Sequence, residues 1–259
     1  MALALLVPAV ASAHDTWLRS RPEGTEGRLV TLELSSGSRY PKSEGAIPPG
    51  RIDELGCEGA RGERVFVAPR AEQATHLELR LRAADAEAMA CWLTLKPADV
   101  SLTPELVQAY FSEIRATTAV RDAWTRLHAA GQAFDEQYVK AVRIELPPLA
   151  GTEPDLSRLR RPRGLPLELV AVGAAAPRLG VPIDFQALAD GKPVAGLPVE
   201  FVHSRSPVGI WRETDPDGRV RLVPALAGEW LLRATLLTAP QGSEPRWRSR
   251  FGTLTIYVR

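Results

Sequence analysis

Hydrophobic and polar residues alternate in several short runs along the chain, and this period of two indicates β-strands. In the first half the alternation occurs in residues 28–34, 65–67, 76–82 and 90–95. The segment 37–62 is rich in Gly and Pro and is predicted to be a long loop. Together these features predict an antiparallel β-domain over residues 14–102.

The pattern becomes helical in residues 103–146. Thr103 can cap a helix that starts at Pro104, and Gly131 is expected to end a second helix. From Phe134 onward the residues alternate again like a strand. This segment is therefore predicted to be a helical insertion followed by a returning strand.

The last part of the chain returns to strands. Residues 147–164 are polar and rich in Pro and Arg, which predicts a solvated linker. Residues 165–259 hold about seven short alternating runs separated by turn signals such as Asp190-Gly191, as in a β-sandwich. The expected fold class is mainly β: two antiparallel β-sandwich-like domains with a short helical insertion between them.

The N-terminus has the pattern of a signal peptide. Residues 1–13 are small and apolar and end in Ala-Ser-Ala, so cleavage is expected between Ala13 and His14. A leader normally opens with a basic residue, and the first one here is Arg19, which suggests a start codon further upstream. The alternative is a buried N-terminal strand. Export predicts a periplasmic or secreted protein, and no later apolar run approaches the ~20 residues of a membrane span.

The only cysteines are Cys57 and Cys91. In an oxidising compartment such a pair suggests one disulfide. The alternative is a buried free thiol at Cys91, which lies in phase with apolar neighbours. The pair does not have the spacing of a redox motif or a zinc knuckle.

Charge and motifs argue against several function classes. The 32 Lys and Arg nearly balance the 31 Asp and Glu, and the net charge of +1 provides no basic field for nucleic acid or an anionic membrane. Hydrolase, zinc-protease and phosphate-loop signatures do not occur in the sequence, so we do not expect an enzyme. Asp215 and Asp217 resemble part of a calcium loop but lack its later ligands, which favours a turn.

A histidine at a free N-terminus can chelate a metal ion. Its amine and imidazole bind together, and a second imidazole would complete a three-nitrogen site suited to Cu(II), Ni(II) or Zn(II). The candidate metal ligands are His14, then His203 or His76 as the second imidazole, with Asp15 as a carboxylate ligand or supporting group. The alternatives are an ordinary first residue at His14, a surface histidine at 76 and a hydrogen-bonded histidine at 203.

Residues 14–18, which read HDTWL directly after the expected cleavage site, resemble the start of a periplasmic family of unknown function whose members are often called NikM-like or nickel-uptake proteins. Further similar segments read EQYVK, PLELV, DGKPVAG, TDPDG and GEWLL, at residues 136–140, 166–170, 190–196, 214–218 and 228–232. The resemblance implies a periplasmic protein whose C-terminal half is similar to transthyretin-like or carboxypeptidase-regulatory sandwiches. It also implies a role related to metal, and it carries no catalytic residues.

These observations predict an exported periplasmic binding or accessory protein that handles one transition-metal ion (Ni, Co or Cu) through His14. Its expected partners are the metal ion and an envelope protein or transporter. The alternative is a non-catalytic module of the cell envelope that binds protein or glycan without metal. That alternative requires an exposed aromatic patch, for which Trp211 and Trp247 are the candidates.

Overall fold

The structure is a computed structural model that describes residues 14–21, 29–82, 88–148, 154–206 and 208–259. The predicted signal peptide, residues 1–13, lies outside this described part. The described residues form several antiparallel sheets and two short helices, so the predicted mainly β, sandwich-like fold class is confirmed. Within them, no helix has the length and apolar character of a membrane span.

The first half of the chain folds into short strands, as the alternation predicts. They are β1 (Asp15–Arg21), β2 (Leu29–Gly37), β3 (Gly45–Ala46), β4 (Ile52–Gly59), β5 (Arg64–Val65), β6 (Val67–Glu72), β7 (His76–Arg82), β8 (Met89–Leu95) and β9 (Ala98–Leu102).

The middle of the chain forms two helices and a long strand: α1 (Pro104–Glu113), α2 (Thr118–Ala129) and β10 (Phe134–Leu146). Thr103 caps α1 by accepting a hydrogen bond from the backbone N–H of Leu106. Gly131 follows α2 with a φ of 80°, a left-handed conformation that glycine adopts without strain. The predicted start of α1 after Thr103 and the predicted end of α2 before Gly131 are therefore confirmed.

The last part of the chain again forms strands. They are β11 (Glu168–Ala171), β12 (Ile183–Ala189), β13 (Lys192–Pro193), β14 (Pro198–His203), β15 (Ile210–Glu213), β16 (Arg219–Leu222), β17 (Gly228–Thr238) and β18 (Trp247–Val258). Asp190 and Gly191 both have positive φ between β12 and β13, which is the predicted tight hairpin turn.

A central sheet runs through both halves of the chain. Its strand order is β15-β14-β17-β18-β10-β8-β4-β5, and β9 pairs with the first part of β10. β10 and β18 run parallel and pair from Glu136↔Trp247 to Ile144↔Thr255. This pairing joins the returning strand of the middle segment directly to the C-terminal strand.

Two smaller sheets cover opposite faces of the central sheet. Paired residues of neighbouring strands point to the same face, so Val142 shares a face with Thr253, and Arg143 shares the other face with Leu254. Val142 packs into the core formed with β2 and β7, whereas Leu254 packs into the core formed with β12. The N-terminal sheet, of order β1-β2-β7-β6, therefore lies on one face, and the sheet of β11, β12, β13 and β16 lies on the other.

The two helices lie on the same face of the central sheet as the N-terminal sheet. Phe134 points to that face because it is in phase with Val142 along β10. It stacks with Trp247 at a ring distance of 4.9 Å and contacts Phe111 and Trp124 of the helices. This aromatic cluster and the N-terminal core thus occupy two neighbouring parts of one face.

The prediction of a long loop over residues 37–62 is wrong where β4 forms. Gly56 lies in the middle of β4 opposite Trp92. A Cβ at residue 56 would lie 2.6 Å from a carbon of the Trp92 indole, which is too close for a contact. The indole can therefore lie across β4 at this position only because residue 56 is a glycine. The glycine that suggested a loop is required for close packing within a sheet.

The prediction of a solvated linker is wrong for part of the described segment. Leu156 is buried, and the buried Arg160 donates a hydrogen bond to the Glu145 carboxylate. Outside the segment, Arg143 of β10 is also fully buried and pairs with Glu168 at the start of β11. Buried guanidinium groups require such partners, because an unpaired buried charge is strongly destabilising. Other residues of the segment are exposed, so it is buried at some positions and solvated at others.

Cys57 and Cys91 form the predicted disulfide between the paired strands β4 and β8. The bond closes a loop with a sequence separation of 34. We expect the C57A/C91A variant to unfold with a free energy lower by about 3 kcal/mol, because its unfolded chain is no longer constrained. Urea unfolding followed by tryptophan fluorescence measures this difference. Reductant should destabilise the parent protein and leave the variant unchanged; equal stabilities of parent and variant would contradict the expectation.

Candidate functional site

A cavity of about 520 Å³ opens between the N-terminal core and the aromatic cluster. Its polar lining includes His14, Arg51, Asp99, Glu136 and Lys140. Its apolar lining includes Ile47, Leu95, Leu102, Tyr138 and Phe251. The volume is in the range of small-molecule sites, and the mixture of apolar walls with a few polar groups is typical of them.

His14 lies at this cavity, directly before β1. Its Nε2 is 2.9 Å from Oε2 of Glu44. Glu44 also accepts hydrogen bonds from the backbone and hydroxyl of Ser38, and these bonds, followed by the contact with His14, lower the pKa of the Glu44 carboxyl. The ionised carboxylate fixes the imidazole through Nε2, so Nδ1 is the ring nitrogen that another ligand could use.

Asp15 is buried and forms an ion pair with Arg233 of β17. Glu200 of β14 pairs with the same guanidinium. Burial alone would lower the pKa of Arg233, but the two carboxylates outweigh it and raise that pKa. Asp15 therefore anchors β1 to the central sheet, and its carboxylate is already engaged by a cation.

His203 is buried at the end of β14, and both its ring nitrogens contact the backbone. Nδ1 accepts a hydrogen bond from the N–H of Arg205, and Nε2 lies 3.1 Å from the carbonyl oxygen of Ala227. The ring also packs edge-on against Trp230 at 5.0 Å. This arrangement is that of a histidine that satisfies backbone groups at the edge of a core.

His76 is half-buried on β7. Its Nε2 is 3.5 Å from a carboxylate oxygen of Glu33 and 3.9 Å from one of Glu78. The side chain therefore belongs to a polar group of the N-terminal sheet. The cavity lining does not include it.

The structure places the predicted metal ligands in separate surroundings. Among the described residues, no three His, Cys, Asp or Glu side chains come together in a way that could hold a metal ion. His14 contacts Glu44, while His203 and His76 have the partners given above. The expected second imidazole is therefore not brought to His14, and His14 is the member of the predicted set that lines the cavity.

Sequence reasoning missed Lys140, whose ammonium donates a hydrogen bond to the carbonyl oxygen of His14. The ammonium lies 5.5 Å and 5.2 Å from the ring centres of Tyr138 and Phe251. Burial lowers the pKa of Lys140 to about 8. A signal was present in the sequence: Lys140 is in phase with the buried Phe134 along β10 and so lies on the same face.

Glu136 is buried deeper on the same face of β10. Burial raises the pKa of its carboxyl, although hydrogen bonds from Ser249 and Tyr110 partly offset this effect. The Tyr110 hydroxyl lies 3.1 Å from the carboxylate oxygen. The cavity lining therefore includes an acid whose Oε1 accepts from two hydroxyl donors and whose negative charge is disfavoured by burial.

Comparison with known proteins assigns the family. Residues 11–238 match the model of a family described as a domain of unknown function, DUF4198, and the chain belongs to that family. A search of curated protein sequences found no match.

Solved structures with similarity to this chain are distant. The FN1–FN3 domains of chicken CNTN1 are 9% identical over 94% of this chain and 67% of that chain, with a TM-score of 0.21. The D00–D0 domain of intimin is 11% identical over 93% and 99% of the two chains, also with a TM-score of 0.21. Domains MG0-NIE-MG1 of alpha-2-macroglobulin from Escherichia coli are 14% identical over 90% and 94%, with the same TM-score. These similarities carry no argument about function.

The pairing of Asp15 with Arg233 predicts a stability effect at the start of β1. We expect Asp15→Asn to lower the free energy of unfolding by about 2 kcal/mol, because it removes one carboxylate from a largely enclosed guanidinium. Urea unfolding measures the loss. Asp190→Asn is the matched control, since Asp190 pairs with Arg250 at the surface and its loss should cost about 0.5 kcal/mol or less. Equal losses in both variants would contradict the anchoring role of Asp15.

Proposed function

We propose that the chain is an exported periplasmic binding protein that holds one transition-metal ion through His14 at its mature N-terminus. The observation that carries the proposal is the contact of His14 Nε2 with Glu44 beside a cavity. A metal-binding histidine typically donates its second ring N–H to a carboxylate, which orients the ring and increases its basicity. The contact therefore leaves Nδ1 for the metal.

Cleavage after Ala13 would place a free amine on the same residue. The amine and Nδ1 of His14 then form a chelate with one ion, and the remaining coordination positions are left to water or to a partner that delivers or accepts the ion. Two contacts that fix the main chain at His14 support this proposal: its carbonyl accepts from Lys140, and the next residue, Asp15 of β1, pairs with Gly37 of β2. Nitrogen ligands favour Cu over Ni and Ni over Co.

The similarity of residues 14–18 to NikM-like proteins supports a metal-handling role and an envelope transporter as the partner. Membership of the DUF4198 family is compatible with this proposal and does not itself define an activity. The two predicted partners for His14, namely His203 and His76, are not part of the proposed site, since each has its own contacts elsewhere. We propose no catalytic role.

The interaction module without metal has weaker support. Trp247 is buried in the aromatic cluster and cannot contribute to an exposed patch. Trp211 is half-buried, with the Arg115 guanidinium 4.6 Å and the Arg233 guanidinium 5.9 Å from its ring. Of the two tryptophans predicted for this patch, Trp211 is thus the one that keeps part of its ring exposed.

The proposal predicts metal binding that depends on both the side chain and the amine of His14. Protein that begins at His14 should bind one Cu(II) or Ni(II) in calorimetric titration, with Cu(II) tighter than Ni(II). His14→Ala should lose the site, and so should protein that retains Ala13 before His14. His128→Ala is the control, because His128 stacks on Trp124 in α2 and should not affect binding. Binding that survives His14→Ala, or no binding by protein with a free His14 amine, would overturn the proposal.

Glu44 should tune the same site without being a ligand. We expect Glu44→Gln to weaken the affinity for Cu(II) by about tenfold, because the amide orients the ring but does not increase its basicity. The one-to-one stoichiometry should persist. Glu78→Gln, near His76, is the matched control and should leave the affinity unchanged. An unchanged affinity in Glu44→Gln would show that the contact with His14 plays no part in metal binding.

A further inference from the structure

We propose that the cavity beside His14 is a second binding site, for a small organic carboxylate whose anionic end is bound by Lys140 and Arg51. The apolar body of this ligand would lie against Tyr138, Phe251 and Leu102. This inference goes beyond the metal proposal and does not depend on it, because the residues that carry it lie on β10, β18, β9 and the turn before β4.

The cationic groups of the cavity provide donors for an anion. The Lys140 ammonium has three N–H donors, one of which is used by the carbonyl of His14. Arg51 donates to the carbonyl oxygen of Lys96 at 3.0 Å, and this neutral acceptor does not cancel the charge of the guanidinium. The two cations lie close enough for the charge of Arg51 to lower the pKa of Lys140. An anion between them would relieve this repulsion.

The acidic groups at the cavity are engaged by other partners. Asp99 at the rim accepts hydrogen bonds from Gln137 at 3.2 Å and from Arg246 at 3.0 Å. Glu136 accepts from Tyr110 and Ser249, and burial raises its pKa. These contacts reduce the ability of the acids to compensate the charge of Lys140 and Arg51, and the cavity favours a ligand with one negative charge.

The walls indicate the class of ligand. Most of the lining is apolar or aromatic, including Ile47, Leu95 and Leu102. A fully hydrated anion such as inorganic phosphate would leave most of its oxygens without donors against such walls. A monocarboxylate with an aryl or short alkyl group matches both the two cations and the apolar surface. A volume of about 520 Å³ accommodates a molecule of this size.

The test uses metal-free protein that begins at His14, with phenylacetate as the probe and phenylacetamide as its neutral counterpart. Calorimetric or NMR titration should show one phenylacetate site that binds at least about tenfold more tightly than the amide and inorganic phosphate. Lys140→Met keeps the apolar stem without the charge, and should weaken phenylacetate binding at least about tenfold. Lys192→Met, at an exposed position of β13, should leave phenylacetate binding unchanged.

Three results would overturn the carboxylate site: equal binding of acid and amide, equal binding by Lys140→Met and the parent protein, or no binding of phenylacetate. The comparison of acid with amide on the parent protein decides the matter even if Lys140→Met does not fold. Protein that retains Ala13 separates the two proposals, since it should lose the metal and still bind phenylacetate. Loss of both ligands in that protein would contradict the independence of the carboxylate site.

Discussion

The parallel pairing of β10 with β18 is the constraint on which the rest of the structure depends. It joins a strand from the middle of the chain to the last strand, and the central sheet extends from this pair in both directions. Because parallel strands need a long connection, the chain makes a long excursion between the end of β10 at residue 146 and the start of β18 at residue 247. In this connection β14, β15 and β17 extend the central sheet beyond β18, whereas β11, β12, β13 and β16 build the second small sheet on the opposite face, which gives each half of the chain its own core.

The same pairing creates the cavity. Glu136 and Lys140 of β10 share a face with Trp247 and Phe251 of β18, and this face carries the helices at one end and the N-terminal sheet at the other. The helical layer is mainly aromatic, whereas the N-terminal sheet is mainly aliphatic. The cavity lies where these two layers meet, and residues from both sides line it. The polar residues on this face of β10 are therefore enclosed, whereas they would be solvated in an isolated hairpin. This enclosure lowers the pKa of Lys140.

The sequence predicted features whose cause is local. Alternation located most strands, the cap at Thr103 and Gly131 bounded the helices, and Cys57 with Cys91 formed the expected disulfide. Features that depend on distant partners were missed. Gly56 suggested a loop because its contact with Trp92 cannot be seen in the sequence, and Arg160 suggested solvent because Glu145 lies on another element. His203 resembled a ligand, yet the backbone of Arg205 and Ala227 occupies its ring nitrogens.

The candidate site shows the same difference between residues that the local sequence identifies and residues that depend on distant partners. His14 stood out from the sequence because its position after a cleavage pattern is a local property, whereas Lys140 becomes notable only when β10 brings it to the carbonyl of His14. Through that hydrogen bond, Lys140 takes part in both proposed sites, because it holds the main chain of His14 and would also bind the carboxylate. A carboxylate bound to Lys140 would compete for the ammonium that holds the main chain of His14, and a metal at His14 would add positive charge near the carboxylate. Competition for the ammonium would disfavour simultaneous binding of the two ligands, whereas the positive charge of the metal would favour it. A change in the affinity for one ligand when the other is bound therefore shows which of these two effects is larger.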